Sequence, residues 1–220
     1  MIDNSVRFGG FATYGQTNGA GLYADAAVGG GYNNYNVTRN IAFGTAGTPS
    51  YINRTANSSP GGGELDTMIS TGYDLKRGNW TFGPFTGLQY TMFGVNSVSE
   101  TGAQSLDMTS PGWNTSSMIY SLGAQAAYRW QVNRDIVIVP QISLSWQYEF
   151  LQNPYNLNPS IGGNSYSNSS AAPNRSTLYT GVGFTMVFAD RWNTALFYNA
   201  AAGNPNLESQ NIFWSVGFVF

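Results

Sequence analysis

The last strand-length stretch of the chain sets the tightest constraint on its fold. In an extended backbone, successive side chains point to opposite faces, so Ile212, Trp214, Val216, Phe218 and Phe220 share one face and Phe213, Ser215, Gly217 and Val219 the other. Every residue of the first face is large and apolar. The same alternation puts Trp192, Thr194, Leu196, Tyr198 and Ala200 opposite Asn193, Ala195, Phe197, Asn199 and Ala201. Leu178, Val182, Phe184, Met186 and Phe188 oppose Tyr179, Gly181, Gly183, Thr185 and Val187. Ile136, Ile138, Ile142, Leu144, Trp146, Tyr148 and Phe150 oppose a face that includes Gln141, Ser143, Ser145, Gln147 and Glu149, and Met118, Tyr120, Leu122, Tyr128 and Trp130 oppose Ser121, Gln125 and Arg129.

Soluble sandwiches and small barrels alternate too, so period two alone does not say which face meets water. The character of the faces decides it. The apolar face of these five runs carries no charge, and a Lys or Arg in the middle of a lipid-facing surface would cost about 2–4 kcal/mol. The opposite face is mostly small and polar, unfit to fill a close-packed interior. The apolar face is therefore expected to look outward into lipid, and the polar face inward onto water.

Composition agrees. Charged residues are 9% of the chain, against about a quarter in a typical soluble domain, while aromatics reach 15% and mean hydropathy is −0.21. No run approaches the roughly 18 apolar residues that a spanning helix needs. A net charge of −2 offers no basic stripe for nucleic acid. Cys and His are both absent, so thiolate nucleophiles, disulfides, a Ser-His-Asp triad and imidazole metal sites are excluded together. Asp74 and Glu149 have no spacing that commits them to acid–base work, and Gly181-x-Gly183 sits within a strand with no helix after it, which is not a phosphate loop. The expectation is a non-enzyme without cofactor or metal.

Weaker alternation runs through Trp80–Phe93, Leu65–Leu75, Leu22–Tyr32 and Val6–Tyr14, giving about nine strands in one domain over residues 1–220. Short polar links near 16–19, 76–79, 131–135 and 189–191 alternate with long Asn/Ser/Gly/Pro-rich ones near 36–63, 94–115 and 152–175 and a medium one near 203–209. Outer-membrane barrels have short periplasmic turns and long extracellular loops. The sequence thus predicts an all-β, antiparallel up-and-down transmembrane β-barrel in a bacterial outer membrane. An odd strand count, with the C-terminus in the periplasm, sends the first strand in from outside the cell; leading strands, a miscounted strand or another chain would complete the wall. Pro140, on the apolar face, lacks a ladder donor and marks an irregularity or bulge.

Within this barrel, Arg129 and Glu149 are expected to face the lumen from adjacent strands, either against a transiting segment or as an ion pair bracing the wall. Gln89, Gln125, Gln147 and Asp25 share that face. Trp80, Trp130, Trp192, Tyr128 and Phe150 fall near strand ends, where amphipathic rings favour the headgroup level.

Several segments also resemble the autotransporter (type V secretion) β-domain. They are Gly72-Tyr73-Asp74-Leu75, then Asn79 through Thr91 (NWTFGPFTGLQYT), Ser121-Leu122-Gly123-Ala124 through Arg129, Val139-Pro140, and Trp146-Gln147-Tyr148-Glu149-Phe150. The family commonly has Trp-x-His-Glu-Phe at the last of these; Tyr148 replaces the His here, while Glu149 matches. Gly21-Leu22-Tyr23-Ala24-Asp25 resembles an earlier family strand, and the likeness spans roughly residues 21–220. It implies a twelve-stranded barrel, of which these nine are the last nine, with signal, passenger, pore helix and about three strands outside this sequence; Met1–Ser5 does not read as a signal peptide. It further implies a translocator that anchors in outer-membrane lipid and helps export an N-terminal passenger. Trp214, Val216, Phe218 and Phe220 resemble the C-terminal signal read by the barrel assembly machinery. A passenger-free structural or adhesive barrel, a diffusion pore and a truncated gene fragment are the alternatives.

Overall fold

Alternating side chains on a chain with few helix formers produce nine long strands. The computed structural model of the protein describes residues 2–15, 20–151, 156–170, 174–189, 191–203 and 209–218. The wall strands are β1 (Ile2–Tyr14), β2 (Gly21–Phe43), β3 (Gly61–Arg77), β4 (Trp80–Val95), β5 (Trp113–Tyr128), β6 (Ile136–Glu149), β7 (Ser176–Phe188), β8 (Trp192–Ala202) and β9 (Ser209–Phe218). Each pairs antiparallel with the next in sequence, so the sheet is an up-and-down meander with β1 and β9 at its edges. All nine runs read from the alternation are strands here.

The connections fall into two ends. At the turn end, Arg77 pairs with Trp80 across a two-residue link whose Gly78 has φ +61°, the left-handed region that glycine reaches without strain and that tight hairpins require. The links at 16–19 and 204–208 lie outside the described residues.

At the opposite, loop end, the expected loop at 36–63 proves to be largely strand. β2 runs on to Phe43, and Ile52–Ser58 folds back on it, from Val37 opposite Ser58 to Phe43 opposite Ile52. Val37, Arg39, Ile41 and Phe43 continue the alternation, but the intervening pairs Thr38–Asn57, Asn40–Thr55 and Ala42–Asn53 give the segment the composition of a loop. The two loops that follow are tied together. Val98–Ser99 pairs with Met108–Ser110, which pairs with Ser160–Ile161, which pairs with Asn164–Ser165.

The expected irregularity at Pro140 is a break in one ladder rather than a bulge. Pairing of β6 with β5 ends at Gln141–Ala127 and resumes at Ile138–Trp130 without a change of register, while on the β7 side Pro140 pairs with Phe184. Pro84 falls at a similar gap, between Gly72–Phe85 and Leu75–Phe82. Both prolines sit where one side of the strand asks for no amide donor.

Direct cross-strand partners share a face, so the register extends the face assignment across the whole sheet. One such row runs Tyr198, Val182, Ile142, Ala126, Phe82 and Leu75. Another passes from Tyr120 through Leu88, Ile69 and Ala26 to Ala12. Among the described residues the only charged strand residue on this face is Arg77, at the turn-end tip of β3. The face is also bare: Ile142 is 57% exposed, Val182 52% and Trp214 70%. Among the described residues the buried apolar side chains are Ala56, Ala103, Val137 and Ala201, none larger than valine. A sheet with no packed core needs an apolar solvent on its apolar side.

Hydroxyls on that face behave as lipid requires. Thr67, Thr71, Thr86 and Thr194 each donate to a backbone carbonyl of a neighbouring strand, at 3.4, 2.8, 2.9 and 3.0 Å. The indole N–H of Trp146 donates to Ser176 Oγ at 2.7 Å and that of Trp214 to Thr194 Oγ1 at 3.0 Å. Without water, a donor left unpaired would cost several kcal/mol, about what these short bonds avoid. Aromatic pairs close the band at both ends: Trp80 with Tyr128 and Trp192 with Phe218 at the turn end, Tyr148 with Phe150 at the loop end.

Candidate lumen and its outer mouth

The other face is concave, and side chains from non-adjacent strands meet across it. Gln125 of β5 donates from Nε2 to the Tyr23 hydroxyl of β2 at 3.1 Å and to Asp74 Oδ1 of β3 at 3.2 Å. β5 and β2 are three strand spacings apart, roughly 14 Å. Side chains standing off a sheet close such a gap only where the sheet curls toward them. Ser70 and Asp25 join the same cluster, with Ser70 Oγ donating to Asp25 Oδ2 at 3.5 Å. An open cavity of about 380 Å³ lies among Tyr23, Asp25, Asp74, Phe85, Gln125 and Ser143.

Nearer the loop end, Arg7 of β1 and Glu64 of β3 form an ion pair, Nε to Oε1 at 2.8 Å, across the intervening β2. They can do so because the β2 residue between them, in register with both, is Gly31. A Cβ there would stand 2.8 Å from Arg7 Cγ and 3.2 Å from Glu64 Oε1. Asn33, 2% exposed, adds a 3.4 Å bond from Nδ2 to Glu64 Oε2. The register puts both on the concave face, and nothing in the sequence pairs residues 57 positions apart.

The glutamines expected on the lumen face share it by register. Gln89 lies between Met68 and Ile119, Gln125 opposite Gly83 and Ser143, and Gln147 between Ser121 and Thr177. Arg129 and Glu149 are not brought together. Glu149, at the loop end of β6, stands opposite Ile119. Arg129 follows the turn end of β5, exposed, with its N–H on the Asn79 carbonyl at 2.8 Å, roughly 33 Å from Ile119 at ~3.3 Å per residue. The bracing ion pair between them does not form. Glu149, 9% exposed, instead accepts hydrogen bonds from Ser117 Oγ, from Met118 N at 2.8 Å and from Leu151 N at 2.9 Å. It clamps the start of the long loop onto β5. Strand alternation gives a side chain's face but not its height, and height decides its partners here.

The terminal strand carries Trp214, Val216 and Phe218 on the lipid face, in register with Leu196, Thr194 and Trp192. Phe220 lies outside the described residues.

Beyond the membrane, Arg39 of the β2 extension meets Glu100 of the following loop, through Nε at 3.0 Å and Nη2 at 2.5 Å. Arg39 Nη2 also donates to the Leu106 carbonyl at 2.7 Å, and Met108 N to Glu100 Oε2 at 2.8 Å. Glu100 is 5% exposed, and the hydrogen-bonded guanidinium holds its carboxyl below the usual range against the opposing effect of burial. A lone Arg in the alternating run Val37–Phe43 was the available sign of this contact.

A polar concave wall, a bare apolar convex wall, short turns at one end and tied loops at the other define a transmembrane β-barrel wall. The profile of the autotransporter beta-domain matches residues 3–199, and the chain belongs to that family of outer-membrane barrels that export a passenger. Two solved structures share the fold. The translocator domain of autotransporter NalP from Neisseria meningitidis is 14% identical, with 99% of this chain and 68% of that one covered at a TM-score of 0.67. The beta domain of the Bordetella autotransporter BrkA is 18% identical, with 97% and 71% covered at 0.54. No curated protein sequence matches the chain.

Proposed function

We propose that the concave face of β2–β6 is the wall along which the passenger segment is held while it crosses the outer membrane, with Gln89, Gln125 and Gln147 as its wet contacts. The observation that carries this reading is the division of the wall. Between the aromatic bands the charged side chains Asp25, Asp66, Asp74 and Lys76 share the face of the glutamines, and the opposite face carries no charge there, with the hydroxyls of Thr71 and Thr86 bonded back to carbonyls. Uncharged amides and small hydroxyls bind a moving polypeptide weakly enough to let it pass. The role is transport, with no bond-making step. Glu149 serves by fixing the loop base, and Arg129 by its place at the periplasmic turn.

On the same reading, the convex face contacts outer-membrane lipid directly, and Trp214, Val216, Phe218 and Phe220 are read by the barrel assembly machinery before they reach it. Both parts can be tested on cells producing the full-length protein. A Gln89→Arg/Gln125→Arg/Gln147→Arg variant should reach the outer membrane normally yet show its passenger at the surface several-fold more slowly; an unchanged rate would refute the lumen role. Phe218→Ser with Phe220→Ser should lower the amount inserted in cells while refolding into detergent proceeds, and equal losses in both would reduce the terminal strand to a lipid contact.

A further inference from the structure

Near the loop end of the wall, the convex face is hollowed. The register sets Tyr32 opposite Gly63, Gly63 opposite Gly94 and Gly94 opposite Asn114, so one row of the lipid face lacks side chains on two adjacent inner strands. An open groove of about 740 Å³ lies there, within the range of ligand clefts, about 300–1,000 Å³. Leu65 and Met92 line its lower end, Asn96 its upper end and Asn114 its flank. Tyr32 lies across Gly61 and bounds it from the β2 side, its hydroxyl accepting from Asn96 Nδ2 at 3.5 Å.

Glycine weakens a strand, and inside one it marks a bulge, a bend or a place where something approaches closely. Gly31 and Gly62 have such a reason within the protein: a Cβ on Gly62 would stand 2.5 Å from the Gly94 carbonyl, and Gly31 makes room for Arg7. Gly63 and Gly94 have none. Pairing continues past both without a bulge, neither has a positive φ, and a Cβ on either would meet no atom nearer than 3.8 Å. What they leave open is space on the membrane side of the sheet.

Height decides what can fill that space. From Trp80 in the turn-end band to Tyr90, β4 rises through ten residue steps, ~25 Å of height at a ~40° tilt, which brings Tyr90 to the outer boundary of the apolar band. Gly94 stands four steps further, ~10 Å above that boundary, level with lipid headgroups rather than acyl chains. β2 runs on past this level as the arm that it forms with Ile52–Ser58. The groove is therefore continuous below with the lipid-facing wall, while the exposed amides of Asn96 and Asn114 offer uncharged donors and acceptors beside it. Among its lining residues only Glu64 is charged, and that carboxylate points to the concave face, where Arg7 holds it.

We propose that this groove seats the headgroup of an outer-leaflet glycolipid. The hydroxyls and amides of an acylated amino sugar would meet Asn96 and Asn114 over the glycine floor, and the first carbons of its acyl chain would descend past Leu65 and Met92. The inference rests on the assignment of the convex wall to lipid. A phospholipid is the poorer occupant, because its headgroup is built on a phosphate and the groove supplies no cation to meet one.

The test refolds the full-length protein into phosphatidylcholine vesicles, alone or with either rough-type lipopolysaccharide or phosphatidylglycerol added, and follows urea unfolding by heat-modifiable migration. Saturating lipopolysaccharide should shift the folding equilibrium of the wild type at least about tenfold, and phosphatidylglycerol, which brings charge without sugar, should not. Gly63→Val with Gly94→Val fills the groove; this variant should fold in phosphatidylcholine as the wild type does, with the lipopolysaccharide shift cut to about twofold or less. No shift for the wild type, equal shifts for wild type and valine variant, or equal shifts from the two added lipids overturn the proposal. If the double variant fails to refold, Asn114→Leu, which takes an amide from the flank and leaves both glycines, carries the same expectation. A wild type that is monodisperse in buffer without lipid or detergent would instead sink the lipid-facing assignment itself.

Discussion

Val182→Arg tests the orientation on which the fold rests. Val182 lies at mid-height of β7: from Leu178 to Phe188 the strand rises through ten residue steps, roughly 33 Å of length and ~25 Å of height at a ~40° tilt, which matches the apolar band of an outer-membrane barrel. Its neighbours in the row are Ile142 and Tyr198, and it is 52% exposed on the bare face. An arginine there should destabilise the inserted state by about 2–4 kcal/mol, or roughly 30- to 700-fold in the folding equilibrium. Ile136→Arg, beside Phe188 at the turn end, should cost only about 0–1 kcal/mol because the guanidinium reaches the headgroups. Ser143→Arg, one residue from Ile142 but on the concave face, should cost little because it enters water. The assay is a urea titration of the protein in lipid vesicles, read by tryptophan fluorescence and by heat-modifiable migration. If Ser143→Arg proves as damaging as Val182→Arg, or if all three are neutral, the two faces have been assigned wrongly.

Three further substitutions probe individual contacts. Gly31→Val should destabilise the barrel by about 1–3 kcal/mol, since its Cβ would stand 2.9 Å from the Val6 carbonyl and beneath the Arg7–Glu64 pair; Gly10→Ala, with open space around its Cβ, should be near neutral in the same titration. The Glu100 carboxyl titrates lower when folded than unfolded, so its latch contributes fully above the ordinary carboxylate range and is lost as the pH falls through the depressed value. Glu100→Gln, which imitates the protonated state, should loosen the arm by about 3 kcal/mol and open Arg39 and Arg54 to trypsin at neutral pH, with heat-modifiability of the barrel unchanged. Glu149→Ala strands two half-buried amide donors and should raise hydrogen exchange at Met118 and Leu151, costing about 1–2 kcal/mol; unchanged exchange at both would show that the clamp carries no load.

The wall was legible because lipid and water impose opposite demands on alternate residues, and that demand is local. Ile136–Glu149 or Trp192–Ala202 can be read one residue at a time. The arm was missed because the face that carries Thr38, Asn40 and Asn53 answers no apolar demand, while the other packs on a loop rather than on lipid, and a β-ladder of this kind has the composition of a loop. The site failed differently. Arg129 and Glu149 were given the right kind of position on adjacent strands, but register and height are set by turns and tilt, which leave no mark on either residue. The Gly31 gap under Arg7 and Glu64 is likewise a property of three strands at once.

These limits separate what the two media do. Inside the bilayer a polar atom without a partner is penalised so heavily that sequence must comply residue by residue, and the threonines bonded back to carbonyls are that compliance made visible. Outside it, water forgives an unpaired polar group, so a ladder can be built from Thr38, Asn40 and their Asn and Thr partners while Arg39 is fixed by a buried carboxylate.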